Sequence, residues 1–341
     1  MTPELVGRRI AILGGAGFIG HHLALSLAER GADVHVIDSL QVNNMLSLAI
    51  SDPLEHNRDL YIRIVNERLE LLRNPSITLN VQDARDYHAL ARMLAEIQPQ
   101  VVIHAAAVAH AGKSNKDPYS TFDHSLRTLE NALDYSRDNV EHFIFLSSSM
   151  VYGDFQTDEV SEDHPLESIG IYGALKVAGE RIVVGYQQVF DLPYTIVRPS
   201  ALYGPRCISR RVSQVFIESA FQGEPLVVQG GGTESLDFTY VDDLVQGIER
   251  VIESPAARNE VFNLTYGQAR TIRDVAGIVQ EHFPDVEIEE GERDRLMPKR
   301  GTLSVAKARD LLGYAPENPI EIGLPKYIEW YKTIVPAAAR T

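Results

Sequence analysis

Three glycines at three-residue spacing lie between an apolar run and a helical stretch near the amino terminus. The run RRIAILGG covers residues 8–15, and Gly14, Gly17 and Gly20 follow within the segment at 12–24. Glycines at this spacing permit a tight turn from a strand into a helix and close packing of that helix on the strand. A strand, this turn and a helix begin a βαβ unit, which points to a parallel sheet.

Alternation of strands and helices continues through the first half of the chain. Nearly continuous apolar character predicts strands that are buried on both faces. The predicted strands cover residues 8–15, 33–38, 77–83, 101–106, 142–148 and 193–199. The predicted helices between them cover residues 21–31, 87–98, 121–138 and 172–190. We therefore expect an α/β fold with a Rossmann-type, doubly wound parallel sheet.

Segments after about residue 204 are short and separated by turn signals. We expect residues 1–204 to form a dinucleotide-binding Rossmann domain that also receives residues 237–265. Residues 205–335 are expected to form mainly a smaller, mixed α/β region that binds substrate. The segment at 39–74 is predicted to be a loop plus a helix inserted after the second strand.

Composition limits the classes of partner. The chain has 341 residues, a formal net charge of -15 at pH 7 and a pI near 5.2. Because such a surface repels nucleic acid and anionic membranes, we expect neither as a partner. The single cysteine, Cys207, cannot form an intrachain disulfide, and no secretory leader or membrane span is recognised, so the expected compartment is the cytoplasm. No cluster has the spacing of metal ligands, so no metal is expected.

The glycine turn can hold a dinucleotide. Phe18 and Ile19 belong to this turn and are expected to contact the cofactor, and the helix that follows offers free N-H groups and a partial positive charge to a pyrophosphate. Asp38 ends the second predicted strand, where a carboxylate can accept both ribose hydroxyls of an adenosine. An NADP 2'-phosphate would be repelled there, so NAD is the expected cofactor. Asp83 can reach the adenine or cap the next helix. The alternative for the glycine turn is that it only packs the helix on the strand.

Two further groups of residues are candidates for chemistry. The segment GIYGALKVAGE places Tyr172 and Lys176 one helical turn apart, which on its own usually marks a helix face with an extended lysine. The segment HAAAVAH contains His104 and His110, which are acid or base candidates, but it is typical of a strand leading into a loop beside the cofactor. That loop begins with three alanines, namely Ala105, Ala106 and Ala107.

Seven ordered motifs resemble the extended short-chain dehydrogenase/reductase family, in particular its NAD-dependent nucleotide-sugar epimerases and dehydratases of the UDP-glucose 4-epimerase type. The motifs are GGAGFIG (14–20), HAAA (104–107), SSSMVYGD (147–154), YGALK (172–176), RPSALYGPR (198–206), DFTYVDDL (237–244) and LLGYAP (311–316). The resemblance implies that Tyr172 is a general base, that Lys176 stabilises its phenolate and holds the cofactor ribose, and that Ser148 hydrogen-bonds the same substrate hydroxyl. For Ser148 the alternative is a capping serine.

The two residues that follow Ser148, Ser149 and Met150, favour one reaction within this family. Related dehydratases and decarboxylases commonly carry acidic residues at the positions of Ser149 and Met150, and a thioether can neither give nor take a proton. The resemblance therefore implies epimerisation at carbon 4, by transient oxidation to a keto sugar and return of hydride from a retained NAD. The alternatives are a ketoreductase or dehydrogenase using the same residues, a dehydratase, and a non-catalytic NAD-sensing or scaffold protein.

The expected substrate is a nucleotide-diphosphate sugar, but the usual diphosphate contacts are missing. Relatives often have Asn at the position of Ala201 and Arg at the position of Leu236. The nearby cations predicted to replace them are Arg206, Arg211, Arg270 and Arg300, although each could be an ordinary surface arginine. We therefore expect the diphosphate to be held differently and the base and sugar to be unusual.

The resemblance also implies a homodimer, since relatives commonly pair through the helix that carries Tyr and Lys and the helix before it. Residues 178–190 show more apolar side chains than one buried face needs, which suits an interface.

Overall fold

The computed structural model describes residues 5–49, 57–108, 111–293 and 298–335. Its centre is a parallel sheet with strands β1 (Arg9–Leu13), β2 (Asp33–Asp38), β3 (Ile77–Val81), β4 (Val101–His104), β5 (His142–Leu146), β6 (Tyr194–Arg198) and β7 (Glu260–Asn263). Their order across the sheet is β3, β2, β1, β4, β5, β6, β7. The direction of winding therefore reverses between β1 and β4, which creates a crevice at the carboxyl ends of these strands.

Helices cover both faces of the sheet and build the carboxyl-terminal part. The α-helices of the described residues are α1 (Phe18–Glu29), α2 (Met45–Ala49), α3 (Arg58–Leu71), α4 (Tyr87–Ile97), α5 (Ala111–Lys116), α6 (Pro118–Phe122), α7 (Thr128–Ser136), α8 (Gly170–Phe190), α9 (Val212–Phe221), α10 (Val241–Glu253), α11 (Ile272–His282), α12 (Ala306–Leu312) and α13 (Ile320–Ile334). A π-helix at Asp123–Arg127 joins α6 to α7. None of the helices in the described ranges combines the length and apolar character needed to cross a membrane.

Alternating side chains of the central strand enter two cores. Ile10 and Ile12 of β1 lie in the core shared with α1 and α10, and Ala11 and Leu13 lie in the core shared with α4, α7 and α8. Because both faces are covered, every residue of β4, β5 and β6 is buried. The predicted doubly wound α/β fold is confirmed, and all six predicted strands are present.

The last third of the chain contributes to both parts of the molecule. Strand β7 lies at the edge of the main sheet, and α10 packs on α1, while α9, α11 and α13 form a separate core. Four short strand pairs surround that region: Glu159–Val160 with Thr302–Leu303, Leu202–Tyr203 with Thr239–Tyr240, Leu226–Gln229 with Ile288–Gly291, and Ser235–Leu236 with Arg270–Thr271. The proposed division at residues 1–204 and 205–335, with 237–265 returning to the first domain, stays a prediction.

Helix α3, from the segment inserted after β2, connects the two parts. Tyr61 of α3 donates to the buried Glu218 of α9 at 2.8 Å, and Tyr331 of α13 donates to the same carboxylate at 2.7 Å. Asn57 adds a third hydrogen bond at 2.7 Å. The cofactor side and the carboxyl-terminal helices are thus joined by one buried carboxylate.

Candidate cofactor and active site

The glycine turn after β1 leaves no room for side chains. Gly14 has a φ of 76°, and a Cβ there would lie 2.7 to 2.9 Å from backbone atoms of Ala105 and Ala106. A Cβ on Gly20 would lie 2.5 Å from the Cα of Gly15. The loops after β1 and β4 therefore meet backbone to backbone, and the amino terminus of α1 opens beside them, as a pyrophosphate requires.

A cavity lies at this point of the sheet. The predicted cofactor residues that line it are Gly14, Gly17, Phe18, Ile19, Gly20, Asp38, Asp83, Ala105, Ala106 and Ala107. His124, from the π-helix, and Arg211 also line it. Tyr172, Lys176 and Ser148 are not among the lining residues. Arg211 lies between the cavity and these three residues in its effects, because it lines the cavity and its positive charge lowers the pKa of Tyr172.

Asp38 is held in place at the rim of the cavity. Its two carboxylate oxygens accept hydrogen bonds from the backbone N-H groups of Ala16 at 3.0 Å and Leu40 at 2.8 Å. Burial raises the pKa of Asp38, and these two hydrogen bonds oppose the rise. Each oxygen keeps further acceptor capacity, so the carboxylate suits a ribose diol and disfavours an added phosphate.

Asp83 faces the same cavity but is not a helix cap. Asp86 caps α4 instead, accepting from the backbone N-H of Ala89 at 3.0 Å. Hydrogen bonds from Arg85 lower the pKa of Asp83, and the shortest of them is 2.6 Å. Arg85 also contacts Asp123 at 3.0 Å. Neither the role of Arg85 nor the π-helix was anticipated, since both depend on how α4 and α7 pack.

Ser148, Tyr172 and Lys176 come together at the ends of β5 and α8. The Ser148 hydroxyl hydrogen-bonds Tyr172 and also accepts from the backbone N-H of Met150 at 3.2 Å, so it caps the short turn that follows it while its catalytic role stays a prediction. The Lys176 ammonium lies 5.9 Å from the centre of the Tyr172 ring and donates to the carbonyl oxygen of Leu146 at 2.6 Å.

Burial sets the charges of this group. It raises the pKa of Tyr172, while the charge of Arg211 and the hydrogen bond with Ser148 lower it. It also lowers the pKa of Lys176 to about 8, against the opposing effect of Glu180. The oxidised nicotinamide of NAD would add a further positive charge that favours the phenolate.

His104 is the histidine of the HAAAVAH segment that the structure describes. His104 is buried, its Nε2 lies 3.1 Å from the Thr128 hydroxyl, and burial lowers its pKa to about 3. It is therefore neutral at the end of β4 and does not line the cavity. His110 lies outside the described residues.

A buried ion pair fixes the two strand ends to α8. Arg198 at the end of β6 forms an ion pair with Glu180 of α8 at 2.6 Å, and both side chains are 5 % exposed. Ser147 donates to the same carboxylate at 2.5 Å. Although burial opposes it, the hydrogen bonds with Glu180 and Tyr152 raise the pKa of Arg198. This group ties the end of β6 and the residue before Ser148 to α8.

The four arginines predicted to contact substrate fall into two pairs. Arg206 is occupied, since it donates to His21 at 2.9 Å and to Glu67 at 3.1 Å. Arg270 pairs with Glu321 at 2.6 Å. In contrast, the Nε atoms of Arg211 and Arg300 are buried without a hydrogen-bond partner.

The remaining predicted substrate contacts are apolar or backbone-bound. Ser149 is buried and donates its N-H to the carbonyl oxygen of Pro199 at 2.9 Å, and Met150 is buried beside it. Ala201 has a φ of 35° and Leu236 lies opposite Arg270 in a short strand pair. In the described ranges, no three His, Cys, Asp or Glu side chains are grouped as ligands of one metal ion.

Known proteins resemble the chain over nearly its whole length. The crystal structure of UDP-glucuronic acid 4-epimerase from Bacillus cereus, in complex with UDP-glucuronic acid and NAD, is 25 % identical, with 96 % of this chain and 100 % of that chain covered and a TM-score of 0.85. UDP-glucose 4-epimerase from Thermotoga maritima is 27 % identical, with 95 % and 99 % covered and a TM-score of 0.80. A dTDP-glucose 4,6-dehydratase from Xanthomonas campestris pv. campestris (strain B100) is 26 % identical, with 94 % and 92 % covered.

A family model matches residues 10–265, from β1 through β7. This range contains the glycine turn, Asp38 and the group of Ser148, Tyr172 and Lys176. The chain belongs to the NAD dependent epimerase/dehydratase family.

Proposed function

We propose that the protein is an NAD-dependent nucleotide-sugar epimerase that inverts carbon 4 of the sugar. The observation that carries the proposal is the hydrogen-bonded pair of Ser148 and Tyr172, with Lys176 one turn along α8. Arg211, which lines the cavity of the dinucleotide residues, acts by its charge on Tyr172. The two solved relatives described above are 4-epimerases of UDP-sugars, which supports the same chemistry here.

Each residue of the group has its own task. Tyr172 removes the proton of the 4-hydroxyl, Ser148 orients that hydroxyl, and Lys176 stabilises the phenolate. The glycine turn and Asp38 hold NAD, which supplies the oxidation at carbon 4 and its reversal. Tyr172 then returns the proton, so no net redox change occurs and the cofactor need not leave.

Dehydration is less well supported than epimerisation. Removal of water across carbons 5 and 6 needs an acid and a base besides Tyr172. Met150 stands where related dehydratases commonly have an acidic residue, and its buried thioether cannot transfer a proton. Two further functions fit the same fold, namely a ketoreductase with exchangeable cofactor and a scaffold that only senses NAD.

The substrate contacts are also proposed. We infer that a nucleotide-diphosphate sugar binds with its negative groups near Arg211 and Arg300, since Arg206 and Arg270 already have acidic partners. The solved relatives are named for UDP-glucose and for UDP-glucuronic acid, so family membership does not choose between a neutral and an acidic sugar.

We further propose a cytoplasmic homodimer without a nucleic-acid partner. The net charge of -15 supports the last point. For the dimer, Ile182, Gly185, Tyr186 and Val189 form one stripe along α8, and Val189 is 71 % exposed.

The test begins with the purified protein. Acid-denatured samples should release about one NAD per chain, and incubation with UDP-, GDP-, CDP- and dTDP-sugars should give the carbon-4 epimer of one of them by NMR. Stoichiometric absorbance change at 340 nm with added NAD would instead indicate a dehydrogenase. If Tyr172→Phe left every activity unchanged while loss of NAD binding abolished it, the scaffold function would hold.

A further inference from the structure

The side chain of Arg206 is bound to the first turn of α1. The sequence predicts a substrate contact for this residue, yet its Nε donates to Nε2 of His21 at 2.9 Å and its Nη1 donates to Glu67 of α3 at 3.1 Å. The side chain is 16 % exposed, and Arg206 does not line the cofactor cavity. These contacts lead toward the glycine turn.

His21 connects Arg206 to that turn. Burial lowers the pKa of His21 well below its usual value, so the ring is neutral. Because a guanidinium can only donate, Nε2 of His21 accepts and the ring proton is on Nδ1. That Nδ1 lies 2.8 Å from the carbonyl oxygen of Gly17, the residue that precedes α1, so it donates to the glycine turn. Gly17 lines the cofactor cavity.

His22 gives the same loop a second attachment to α1. Its Nε2 lies 3.0 Å from the carbonyl oxygen of Pro205, and its Nδ1 lies 3.5 Å from Nη2 of Arg206. Burial lowers the pKa of His22 to about 3, so this ring is neutral too. The loop at 204–206 is therefore joined to two successive residues at the start of α1.

The backbone of Arg206 is fixed as well. Its φ of 66° is a left-handed conformation that is unfavourable for a residue other than glycine. Its carbonyl oxygen accepts from Nε of Arg68 at 2.8 Å and from Nη2 of the same side chain. Arg68 is 1 % exposed and also lines the cofactor cavity. Helix α3 thus holds Arg206 twice, with Arg68 at the carbonyl and Glu67 at the guanidinium, which maintains the unfavourable conformation.

The hydrogen bond from His21 to Gly17 also orients a donor at the start of α1. A peptide unit is planar and trans, so its carbonyl and its N-H point in opposite directions. The carbonyl of Gly17 and the N-H of Phe18 belong to one such unit. When His21 holds that carbonyl along α1, the N-H of Phe18 stays directed out of the helix end, where an anion binds. Phe18 lines the cofactor cavity.

We propose that Arg206 is a positioning residue for NAD, which acts through His21 on the peptide unit of Gly17 and Phe18. The loop at 204–206 and α3 then keep the glycine turn in the shape that binds the diphosphate. In this assignment Arg206 touches neither the cofactor nor the nucleotide sugar. The role goes beyond the proposed epimerase function, because it concerns cofactor binding and holds for any reaction at this NAD site.

The test is the rate at which the purified full-length protein exchanges its bound NAD for NAD labelled with carbon-13, followed by mass spectrometry. Arg206→Met should exchange about 10-fold faster than the wild type, as expected for loss of a hydrogen bond from a charged group. His21→Ala should show a similar increase. The double variant should also exchange about 10-fold faster and not about 100-fold, because both changes break one link.

Two controls separate this role from general loosening of the fold. Arg210→Met changes an exposed side chain of the same basic segment and should leave the exchange rate unchanged. Gly313→Ala places alanine at a φ of 66° at the end of α12, away from the turn, and should lower stability without faster exchange. If Arg206→Met does not fold, Glu67→Gln replaces it, since it weakens the hold on the same guanidinium and should speed exchange by a smaller factor.

An unchanged exchange rate in Arg206→Met, or in Glu67→Gln where that variant replaces it, would overturn the proposal. So would multiplying effects of Arg206→Met and His21→Ala, or equal acceleration in Gly313→Ala. Weaker binding of UDP-glucose by Arg206→Met, with NAD exchange unchanged, would make Arg206 a substrate contact and would overturn it too. Because NAD exchange is measured without turnover, failure of the epimerase function would leave these results unaltered.

Discussion

The surroundings of the Tyr172 phenol determine how readily it ionises. Burial raises its pKa, while the charge of Arg211 and the hydrogen bond with Ser148 lower it. In the proposed mechanism the positive charge of the oxidised nicotinamide would favour the phenolate further. The strength of the proposed base would then depend on cofactor binding.

Replacing Tyr172 by Phe should remove the base and leave the binding sites intact. We expect kcat to fall about 10³-fold, within the range for loss of a general base, with unchanged NAD content and nucleotide-sugar affinity. Tyr119→Phe is the control, because that ring is 84 % exposed on α6. Retained activity in Tyr172→Phe, measured by NMR of the epimers, would remove Tyr172 from the mechanism.

Lys176 should determine the alkaline limit of activity. Its pKa is lowered by burial from 10.5 to about 8, so its positive charge is present below about pH 8 and is lost as pH rises through that value. The rate should fall over the same interval, because the phenolate loses the positive charge one helical turn away. Lys176→Arg should have a lower maximum rate but no such fall, since Arg stays charged. An identical alkaline limb in both proteins, from kcat/KM against pH, would contradict this.

At the scale of elements, the turn between β1 and α1 is defined by contacts as well as by backbone conformation. Gly14 combines a positive φ with backbone atoms that leave no space for a Cβ. Gly313, which ends α12, has a φ of 66°, but a Cβ there would meet no atom within 4 Å. At both positions a side chain would carry the cost of a positive φ. Only at Gly14 would its Cβ also clash with backbone atoms of a neighbouring loop.

Gly14→Ala should therefore be much worse than Gly313→Ala. The second change should cost about 1 to 2 kcal/mol of unfolding free energy for the left-handed conformation alone. The first should cost more and should also reduce co-purified NAD, because Ala105 and Ala106 would have to move. The measurements are chemical unfolding and NAD released per chain. Equal stability and equal NAD content in the two variants would show that the close approach is unimportant.

Glu180 joins α8 to the ends of β5 and β6. Glu180→Gln leaves Arg198 buried without its counter-charge, so we expect a loss of about 3 to 5 kcal/mol in unfolding free energy. Glu141→Gln is the control, because its ion pair with Arg8 has a carboxylate that is 59 % exposed and should matter far less. Similar losses in the two variants, by chemical unfolding, would contradict a special role for the buried pair.

Elements with a local signal could be predicted from the sequence, whereas those that depend on tertiary packing could not. The six central strands could be predicted because burial on both faces leaves continuous apolar runs. Strand β7 (Glu260–Asn263) was not among them, since an edge strand of four residues with two polar ends has no such run. The ion pair of Glu180 with Arg198 was missed for another reason, because the two residues meet only when α8 lies beside β6.

The same limit applies to the site. Tyr172, Lys176 and Ser148 were proposed together because they resemble a family pattern. In the structure Ser148 hydrogen-bonds Tyr172, and the Lys176 ammonium lies 5.9 Å from the centre of the Tyr172 ring. Arg206 and Arg211 looked equivalent in the sequence, five residues apart in one basic segment. Only the fold distinguishes them, because it brings His21 and Glu67 to the first and leaves the second without an acid.

At the scale of the whole molecule, α3 makes contacts within the chain, whereas α8 has a face that a second chain could cover. Helix α3 binds the carboxyl-terminal helices through Glu218, which encloses the cofactor side of the crevice. Helix α8 carries Tyr172 and Lys176, the residues of the proposed catalysis, and has an apolar stripe at Ile182, Gly185, Tyr186 and Val189. The stripe is centred on Gly185, where a Cβ would meet no atom within 4 Å, so a partner helix could approach closely.

Gly185→Arg should fit the single chain but block that approach. We expect the wild type to sediment as a dimer and the variant as a folded monomer, by analytical ultracentrifugation with circular dichroism as the check of folding. Gly277→Arg on α11 is the control, because that position is equally open and lies on another helix. A dimeric Gly185→Arg protein would place the interface elsewhere.

The central claim is that carbon 4 is oxidised and reduced within one bound complex, with Tyr172 handling the proton. It is tested most directly with the nucleotide sugar that the enzyme turns over, carrying deuterium on carbon 4, in ordinary water. We predict that the epimer keeps all of its deuterium at carbon 4, as read by NMR and mass spectrometry. Loss of the deuterium to solvent would contradict the claim, because the atom would then have left as a proton.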